Sequence, residues 1–337
     1  MGKKQKAYTI IKSLGTTGVS SSQIAGGLGV TRAYAQRLAK ELIADGLVLV
    51  IGKGVATRYI SADKKPLSHS YGRLLKREGL DEDIVYQEVV STVSNISTLP
   101  DNVQAIFRYS FTEMLNNAID HSRSERVRVE VETTPVIRFL VRDWGIGIFE
   151  NIRQTFKTEN IEEAIAEVTK GKRTTAAERH SGEGIFFTSR ALDSLTIRGS
   201  GKEITFNNRV GDIFLRNTRV HEGTEVIGTI DTNSSRDIAV LFRSYTNEAY
   251  EFNKTAVMIK LFAIGKDRNY ISRSQARRVL EGLEKFSKIT LDFKDIESIG
   301  QGFAHELFAV WQKNHPEIEL SWENTNENVL FMIRHSK

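Results

Sequence analysis

The stretch FTEMLNNAIDHS, residues 111–122, constrains the fold of this chain more than any other segment. Apolar residues from Val103 to Ile119 recur at helical spacing, which predicts one long helix with a broad apolar face against a sheet. Glu113 and Asn117 are four residues apart, so both side chains project from one side of that helix, beside its buried face. Taken alone, a carboxylate and a carboxamide at this spacing are also typical of an ordinary helix surface. The segments that follow decide between the two interpretations.

An acid and two glycines follow the end of a predicted strand. VRVEVE and VIRFLVRD alternate in polarity as adjacent strands do, and the second runs directly into DWGIG. This pattern places Asp143, Gly145 and Gly147 where a strand meets a turn.

Two further glycine motifs lie downstream. RHSGEGIFFTSRALDSL puts Gly182 and Gly184 directly before an amphipathic helix, where backbone amides face an anion. HEGTEVIGTID then begins another strand with Gly223 and Thr224. The pattern therefore predicts an anion site at a helix start and a strand that begins directly after glycine.

Taken in order, these motifs are E-x-x-x-N on a helix, D-x-G-x-G after a strand, a long polar insert, G-x-G before a helix, and G-T on a strand. This order closely resembles the Bergerat-fold (GHKL, histidine kinase-like) ATPases, which include gyrase, one class of heat-shock chaperones, histidine kinases and mismatch-repair ATPases. The resemblance covers about residues 100–232. It implies an α/β ATPase domain, an α+β sandwich, whose ligands are ATP and Mg²⁺.

The resemblance implies roles for the residues around the adenine. Asp143 is expected to accept a hydrogen bond from the adenine amino group. Gly145 and Gly147 are expected to let the chain pass close to the base. The Thr224 hydroxyl is expected to support the adenine.

The resemblance also implies roles around the phosphates. Asn117 is expected to bind Mg²⁺ through its carboxamide oxygen, while phosphates and waters complete the coordination. Gly182 and Gly184 are expected to let backbone amides meet the phosphates. Fuller versions of this motif have three glycines, whereas here Ser181 takes a flanking position, so these phosphate contacts are predicted less directly than the Asp143 contact.

The reaction type depends on Glu113. Members of the superfamily with asparagine at this position keep ATP for transfer to histidine, whereas those with glutamate use the carboxylate as a base. That base activates water in the chaperone and gyrase groups and a serine hydroxyl in anti-sigma-factor kinases. Glu113 is therefore the expected catalytic residue, either of a weak ATPase or of a protein-serine kinase.

The polar insert FENIRQTFKTENIEEAIAEVTKGKRTTAAERH lies where this superfamily has its ATP lid. Four of its cations are suited to a γ-phosphate, namely Lys170, Lys172, Arg173 and Arg179. The alternative is a solvated helical insert, in which these cations only face water.

Charge is distributed unevenly along the 337 residues. Residues 1–80 carry 14 Lys and Arg against 4 Asp and Glu, a local charge of +10 in a chain whose formal net charge is +5. A basic segment of this kind favours a polyanion as partner. The chain contains no cysteine, and no stretch approaches 18 apolar residues in a row, so we expect a cytoplasmic protein without a membrane span.

The basic end has the pattern of a small DNA-binding module. Apolar periodicity predicts three helices, the last of which begins at Thr31, and LVLVIGKGVATRYIS predicts a hairpin with a basic tip. Three helices followed by a hairpin resemble a winged helix-turn-helix over residues 1–62. In that resemblance double-stranded DNA is the partner, and the expected contacts are Arg32, Tyr34, Gln36 and Arg37 with bases and Lys53 and Arg58 with phosphates. The alternatives are a solvated basic surface or a protein-docking module.

Residues 63–100 are predicted to be a linker of loop and polar helix, and the ATPase domain is predicted to span residues 101–245. Residues 254–337 alternate between strand and helix and resemble a small α/β STAS-like domain, the fold of anti-sigma-factor antagonists. Where those proteins place a regulatory serine, this chain has Gly300, Gln301 and Gly302, with Ser298 nearby.

The sequence thus predicts a cytoplasmic protein of three domains: a winged helix, a Bergerat-fold ATPase and a STAS-like domain. The favoured function is an ATP-binding, DNA-binding transcriptional regulator that slowly hydrolyses Mg·ATP to control its domain arrangement, and a homodimer is compatible with it. The alternative is a serine kinase that phosphorylates its own STAS-like domain or a partner protein. The DNA sequence bound, the signal and the pathway do not follow from these patterns.

Overall fold

The structure is a computed structural model that describes residues 2–13, 18–51, 57–62, 70–93, 95–133, 135–172, 182–262 and 270–336. The chain divides into two units, one formed by residues 1–71 and 87–95 and the other by residues 72–86 and 96–337. Lys53, Arg173, Arg179 and Ser181, which the sequence singled out, lie outside the described residues.

The first unit begins with three helices, and their capping residues explain where two of them start. They are α1 (Lys3–Ser13), α2 (Ser21–Leu28) and α3 (Arg32–Ala44). The Ser20 hydroxyl accepts from the amide of Gln23 while the Gln23 side chain accepts from the amide of Ser20, which closes a capping box at α2. The Thr31 hydroxyl accepts from the amide of Tyr34 at α3, as expected for its N-cap.

A two-stranded antiparallel sheet follows these helices, formed by β1 (Val48–Ile51) and β2 (Arg58–Ser61). Val19 and Tyr59 exchange two backbone hydrogen bonds of 2.8 Å, which join the segment before α2 to β2. The core between helices and hairpin contains Ala7, Ile11, Ile24, Ala35, Leu38, Leu42 and Val48. The predicted order of three helices and a hairpin is therefore present in the structure.

The second unit is built on a seven-stranded sheet in the order β3-β4-β5-β9-β6-β7-β8. Its strands are β3 (Ser70–Lys76), β4 (Arg126–Thr133), β5 (Val136–Asp143), β6 (Ser194–Gly199), β7 (Lys202–Asn207), β8 (Asp212–Asn217) and β9 (Glu225–Asp231). β3 lies within the segment that the sequence predicts to be a linker of loop and helix. It forms an edge strand because it pairs with β4, a partner 50 residues further along the chain that the local pattern does not reveal.

Helix α4 (Glu82–Thr92) has residues in both units. The helices that lie wholly in the second unit include α5 (Asp101–His121), α6 (Ile148–Phe156), α7 (Ile161–Lys170), α8 (Gly184–Ala191) and α9 (Ile238–Tyr245). α5 is the long helix that the sequence predicts, and its apolar face is buried from Val103 to Ala118. Phe107 and Phe111 of α5 contact the ring of Phe139 in β5, with centroids 6.2 and 5.9 Å apart. This packing sets the rotation of α5 about its own axis, and therefore determines which of its side chains face away from the sheet.

The C-terminal part contains three parallel strands in the order β10-β11-β12, namely β10 (Lys254–Met258), β11 (Lys288–Asp292) and β12 (Glu319–Glu323). Its helices are α10 (Arg273–Leu280), α11 (Gln301–His305), α12 (Gln312–Asn314) and α13 (Glu327–Ser336), with a π-helical turn at Glu306–Trp311 between α11 and α12. The predicted α/β alternation is confirmed. Its core is shared with helices α7 and α8, because Ala166, Phe186 and Phe187 belong to the same buried cluster. No helix among the described residues has the length and apolar character that a membrane crossing requires.

Candidate nucleotide-binding site

A cavity of about 400 Å³ lies in the second unit, between α5, the ends of β5 and β9, and the start of α8. Six of the residues predicted from the sequence line it: Glu113, Asn117, Asp143, Gly182, Gly184 and Thr224. Much of the remaining wall is apolar, formed by Met114, Val141, Ile148, Ile152, Ile197 and Val226. A cavity of this volume, with a largely apolar wall and a few polar groups, is typical of a small-molecule binding site.

Helix α5 supplies the polar edge of the cavity. Tyr109, Glu113, Asn117 and His121 follow one another at intervals of four residues, and all line the cavity. Side chains four apart lie above one another on a helix, so the stripe runs along one side of α5. The packing of Phe107 and Phe111 against β5 holds this stripe beside the buried face.

Asp143 is the buried acid at one end of the cavity, with 4% of its surface exposed. Its Oδ1 atom accepts hydrogen bonds from the amides of Gly145 at 2.9 Å and Thr224 at 3.2 Å. Burial raises the pKa of Asp143, while the Gly145 amide, the Thr224 amide and hydroxyl, and the charge of His221 act in the opposite direction. Two amides donate to one oxygen of this carboxylate, so the Asp143 side chain has little freedom to rotate and its orientation toward the cavity is fixed.

Thr224 is fixed from two directions. Its backbone amide donates to Asp143, and its hydroxyl accepts from the amide of Ile148, the first residue of α6, at 2.9 Å. The preceding residue, Gly223, has φ +76°, and a β-carbon there would lie 2.2 Å from the carbonyl oxygen of Asp143. Only glycine allows the start of β9 to approach the end of β5 this closely. Gly145 and Gly147 lie in the segment between β5 and α6, and Gly147 is the residue before α6.

Glu113 lies at the other end of the cavity, against the start of α8. A β-carbon on Gly184 would lie 2.2 Å from Glu113 Oε2, so glycine at this position leaves the space that the carboxylate occupies. Burial, followed by the charges of Glu113 and Glu183, raises the pKa of Tyr109 far above its ordinary value. Both carboxylates therefore act electrostatically on the Tyr109 hydroxyl.

The donor set fits a magnesium nucleotide better than a metal held by protein alone. Among the described ranges, no group of three or more His, Cys, Asp or Glu side chains could hold a metal ion. Asn117 lines the cavity and offers one carboxamide oxygen, a hard ligand of the type that Mg²⁺ accepts. A magnesium ion here would thus need phosphate oxygens and water as its other ligands.

The motifs, the cavity and the family comparison agree on one domain type. Residues 67–207 match the family model of the histidine kinase-like ATPase domain. This match includes Glu113, Asn117, Asp143, Gly182 and Gly184, and it supports ATP binding. A second family model, the STAS-like domain of unknown function (DUF4325), matches residues 275–330. Comparison with curated proteins and with solved structures found no match.

The structure does not bring the predicted lid lysines to the cavity of the histidine kinase-like ATPase domain. Lys170 is 1% exposed and bonds to Glu167 and to two backbone carbonyls of the C-terminal part. Lys172 lines a different cavity and donates to the carbonyl of Lys285 at 3.0 Å. Burial lowers the pKa of Lys172. The end of α7 is packed on the C-terminal part, so contact of Lys172 with a γ-phosphate stays a prediction.

Sequence reasoning missed several polar residues that line the cavity of this ATPase domain, among them Tyr109 and Glu183. Tyr109 lies one helical turn before Glu113, and Glu183 lies between Gly182 and Gly184. The four-residue spacing to Glu113 was a signal for Tyr109. Glu183 occupies the variable position of G-x-G, so the motif carries no information about it. His221 is a further neighbour of Asp143, and its Nε2 atom is buried without a hydrogen-bond partner.

The predicted DNA contacts that the structure describes lie on α3 and β2. Gln36 and Arg37 are exposed, and Arg37 stacks its guanidinium 4.6 Å from the ring centre of Tyr34. Arg32 donates to the hydroxyl of Ser21 at 3.0 Å. Arg58 donates to Gln23 Oε1 at 3.2 Å, which joins β2 to α2. Of the six predicted contacts, Lys53 alone lies outside the described residues.

Proposed function

We propose that the protein is an ATP-dependent DNA-binding regulator whose histidine kinase-like ATPase domain binds Mg·ATP and hydrolyses it slowly. The observation that carries the proposal is the buried Asp143 carboxylate, which two amides hold at the end of an apolar cavity. A carboxylate in that position accepts a hydrogen bond from an exocyclic amine and rejects a purine with a carbonyl oxygen there. This supports adenine as the preferred base.

Residues of this chain then orient the phosphate end. Asn117 offers its carboxamide oxygen to a magnesium ion, which would neutralise phosphate charge when bound. The Gly182–Gly184 segment lines the same end of the cavity and lies against Glu113. The Glu113 carboxylate is the base that takes a proton from an attacking water. A positioned base contributes roughly 10²- to 10⁴-fold to a rate.

Isothermal titration calorimetry with Mg·ATP and Mg·GTP tests this part of the proposal. We expect heat of binding with ATP and a much weaker response with GTP, and we expect Asp143→Ala to lose the ATP response. The folded state of each variant is checked by thermal unfolding. Equal heats for the wild-type protein and Asp143→Ala would contradict the assignment of the adenine site.

The DNA-binding part of the proposal is supported by the basic first unit. The exposed side chains of α3 include Gln36 and Arg37, which a helix in the major groove would present to base edges. Fluorescence anisotropy with random double-stranded DNA measures affinity as a function of salt. Each phosphate contact contributes a slope of about −0.9 in log affinity against log salt, so a slope near zero would contradict DNA binding.

A second candidate function is protein-serine kinase activity, and one observation favours it. The chain has a match to a STAS-like domain as well as to a histidine kinase-like ATPase domain, and the C-terminal sequence resembles anti-sigma-factor antagonists. Incubation with γ-labelled ATP separates the two candidates. Label on the protein or on an added partner supports a kinase, and free phosphate alone supports the regulator with ATPase activity.

A further inference from the structure

Helix α7 (Ile161–Lys170) lies between the candidate nucleotide site and the C-terminal STAS-like domain. Val168 lines the nucleotide cavity, whereas Ala166 belongs to the hydrophobic core that contains the STAS-like strands. All residues from Ala164 to Lys170 are buried. The second half of α7 therefore contacts the nucleotide cavity on one side and the STAS-like core on another.

The last residue of α7, Lys170, makes the polar contact with the STAS-like domain. Its ammonium group donates to Glu167 Oε1 at 2.6 Å, to the carbonyl of Arg278 at 2.9 Å and to the carbonyl of Glu281 at 2.8 Å. An ammonium group has three N–H donors, so all of them are used. Two of the acceptors belong to the C-terminal end of α10, where helix carbonyls lack intrahelical partners and the helix dipole favours a cation.

Further contacts join α7 and the residues before it to the C-terminal part. The Arg278 guanidinium of α10 pairs with Glu159 at 2.7 Å and with Glu163 of α7 at 3.1 Å. The Thr255 hydroxyl of β10 donates to the carbonyl of Lys170 at 2.7 Å. The end of α7 is thus held through its side chain, its backbone and its neighbouring acids.

Helix α8 makes a parallel connection. It starts at Gly184 on the wall of the nucleotide cavity, and its Phe186 and Phe187 rings pack on Phe252 with centroids 4.7 and 5.0 Å apart. Arg190 at its other end donates to the carbonyl of Ala256 in β10 at 3.2 Å. Two of the elements that wall the nucleotide cavity therefore bury their opposite sides in the STAS-like core.

We propose that Lys170 couples nucleotide occupancy to the STAS-like domain, and that it is a coupling residue instead of a phosphate ligand. Close-packed interiors transmit displacements because they have few voids to absorb them. A nucleotide that moves Val168 or Gly184 must therefore move the groups bonded to α7 and α8. The coupling is reciprocal, so a partner bound to the STAS-like domain would change ATP affinity by the same factor. This inference rests on the proposed binding of Mg·ATP.

Intrinsic tryptophan fluorescence tests the proposal, because of where the three tryptophans lie. Trp144 follows Asp143 at the nucleotide site, whereas Trp311 and Trp322 pack against the STAS-like core. In a Trp144→Phe protein, emission comes from the STAS-like domain alone. We expect Mg·ATP to change this emission with a midpoint that equals the dissociation constant from calorimetry on the same variant.

The coupling is then removed with Glu167→Gln/Lys170→Met in the Trp144→Phe background. Removing both charges leaves no unpaired ion in the interior, so the fold is preserved better than in a single variant. The matched control is Glu319→Gln/Lys288→Met, which removes an exposed ion pair of 2.6 Å between β11 and β12 of the STAS-like domain. We expect the first double variant to bind Mg·ATP with loss of the emission change, and the control to keep it.

A second measurement needs no variant. Amide hydrogen exchange at Arg273–Leu280 of α10 should slow when Mg·ATP is added, although α10 does not line the nucleotide cavity. Calorimetric binding with unchanged emission and unchanged exchange in α10 would overturn the coupling alone. A full emission change in the Glu167→Gln/Lys170→Met protein would overturn the role of Lys170. Absence of ATP binding in the wild-type protein would overturn the proposed function itself, and this inference with it.

Discussion

Asp143 and Thr224, 81 residues apart in sequence, exchange two hydrogen bonds: the Asp143 amide donates to the Thr224 carbonyl at 3.0 Å, and the Thr224 amide donates to Asp143 Oδ1 at 3.2 Å. The pair joins the ends of β5 and β9, which are neighbours in the sheet. The Oδ1 atom of the buried carboxylate therefore accepts hydrogen bonds from the protein backbone. The carboxylate is held in place before any ligand arrives, which lowers the ordering cost of binding.

Asp143→Asn should separate this structural role from binding. Asparagine keeps an oxygen that can accept from the two amides, but its other atom is a donor that faces the adenine amino group. We expect ATP affinity to fall at least about tenfold, the effect of about 1.4 kcal/mol. Calorimetry measures the affinity, and an unchanged dissociation constant would contradict the role of Asp143.

The same substitution predicts a pH dependence of stability. Burial raises the pKa of Asp143 above its ordinary value of 3.8 in the folded protein, so the folded state binds this proton more tightly than the unfolded state. The ionised carboxylate therefore costs stability, and this cost appears as the pH rises from about the ordinary value through the raised one. We expect the unfolding free energy of Asp143→Asn relative to wild type to increase over that window. Chemical denaturation at a series of pH values checks the direction.

Glu113→Gln should keep ATP binding and lose turnover. Glutamine preserves the shape of the side chain but cannot take a proton, so the rate should fall by roughly 10²- to 10⁴-fold with little change in affinity. Release of labelled phosphate measures the rate. A variant that turns over at the wild-type rate would refute the assigned base.

Tyr109→Phe tests whether the tyrosine hydroxyl positions the Glu113 carboxylate. If the hydroxyl donates a hydrogen bond to the carboxylate in the nucleotide complex, that bond contributes about 1.5–3 kcal/mol, and turnover should fall by roughly 10- to 100-fold while ATP affinity stays the same. In a Glu113→Gln background the further loss should disappear, because the hydroxyl then has no base to position. Equal losses in both backgrounds would indicate a role that does not involve Glu113.

Gly184→Ala should introduce a collision with Glu113. The new methyl group would lie 2.2 Å from Glu113 Oε2, so either the carboxylate or the start of α8 has to move. Because the carboxylate is the far end of a flexible side chain and can move, we expect a cost near the lower end of the roughly 1–3 kcal/mol of unfolding free energy that overpacking causes. Adding Glu113→Ala should relieve most of that cost, which chemical denaturation of the two single variants and the double variant measures. Additive losses would show that the carboxylate is not the obstacle.

Arg37→Ala tests the proposed DNA contact of α3. We expect weaker binding of double-stranded DNA, with a loss of about 1–3 kcal/mol if the guanidinium contacts a base. Arg128→Ala is the matched control, since Arg128 is an exposed arginine of β4 that pairs with Glu130 in the second unit. Anisotropy titrations of both variants measure the difference. Equal affinities for the two variants would exclude Arg37 from the interface.

Much of the nucleotide site followed from local patterns. The spacing in α5 placed Glu113 and Asn117 on one side of a helix. Glycines beside the end of one strand and the start of another placed Asp143 and Thr224. Both features depend only on residues close together along the chain. The edge position of β3 did not follow, since strand pairing is a long-range choice. Tyr109 had a spacing signal that points to the site, whereas Glu183 had none.

The amino-acid sequence alone determined the order of elements, the polar stripe of α5 and the glycines that bring β5, β9 and α8 close together, because each depends on periodicity or on the absence of a side chain. Only the tertiary structure decided what the lysines after Val168 do. Lys170 and Lys172 have the sequence context of phosphate ligands, but α10 and the segment around Lys285 supply their acceptors. A cation bonds to whichever acceptors the packing places within reach, and the backbone carbonyls that accept from these two lysines lie more than 100 residues away along the chain.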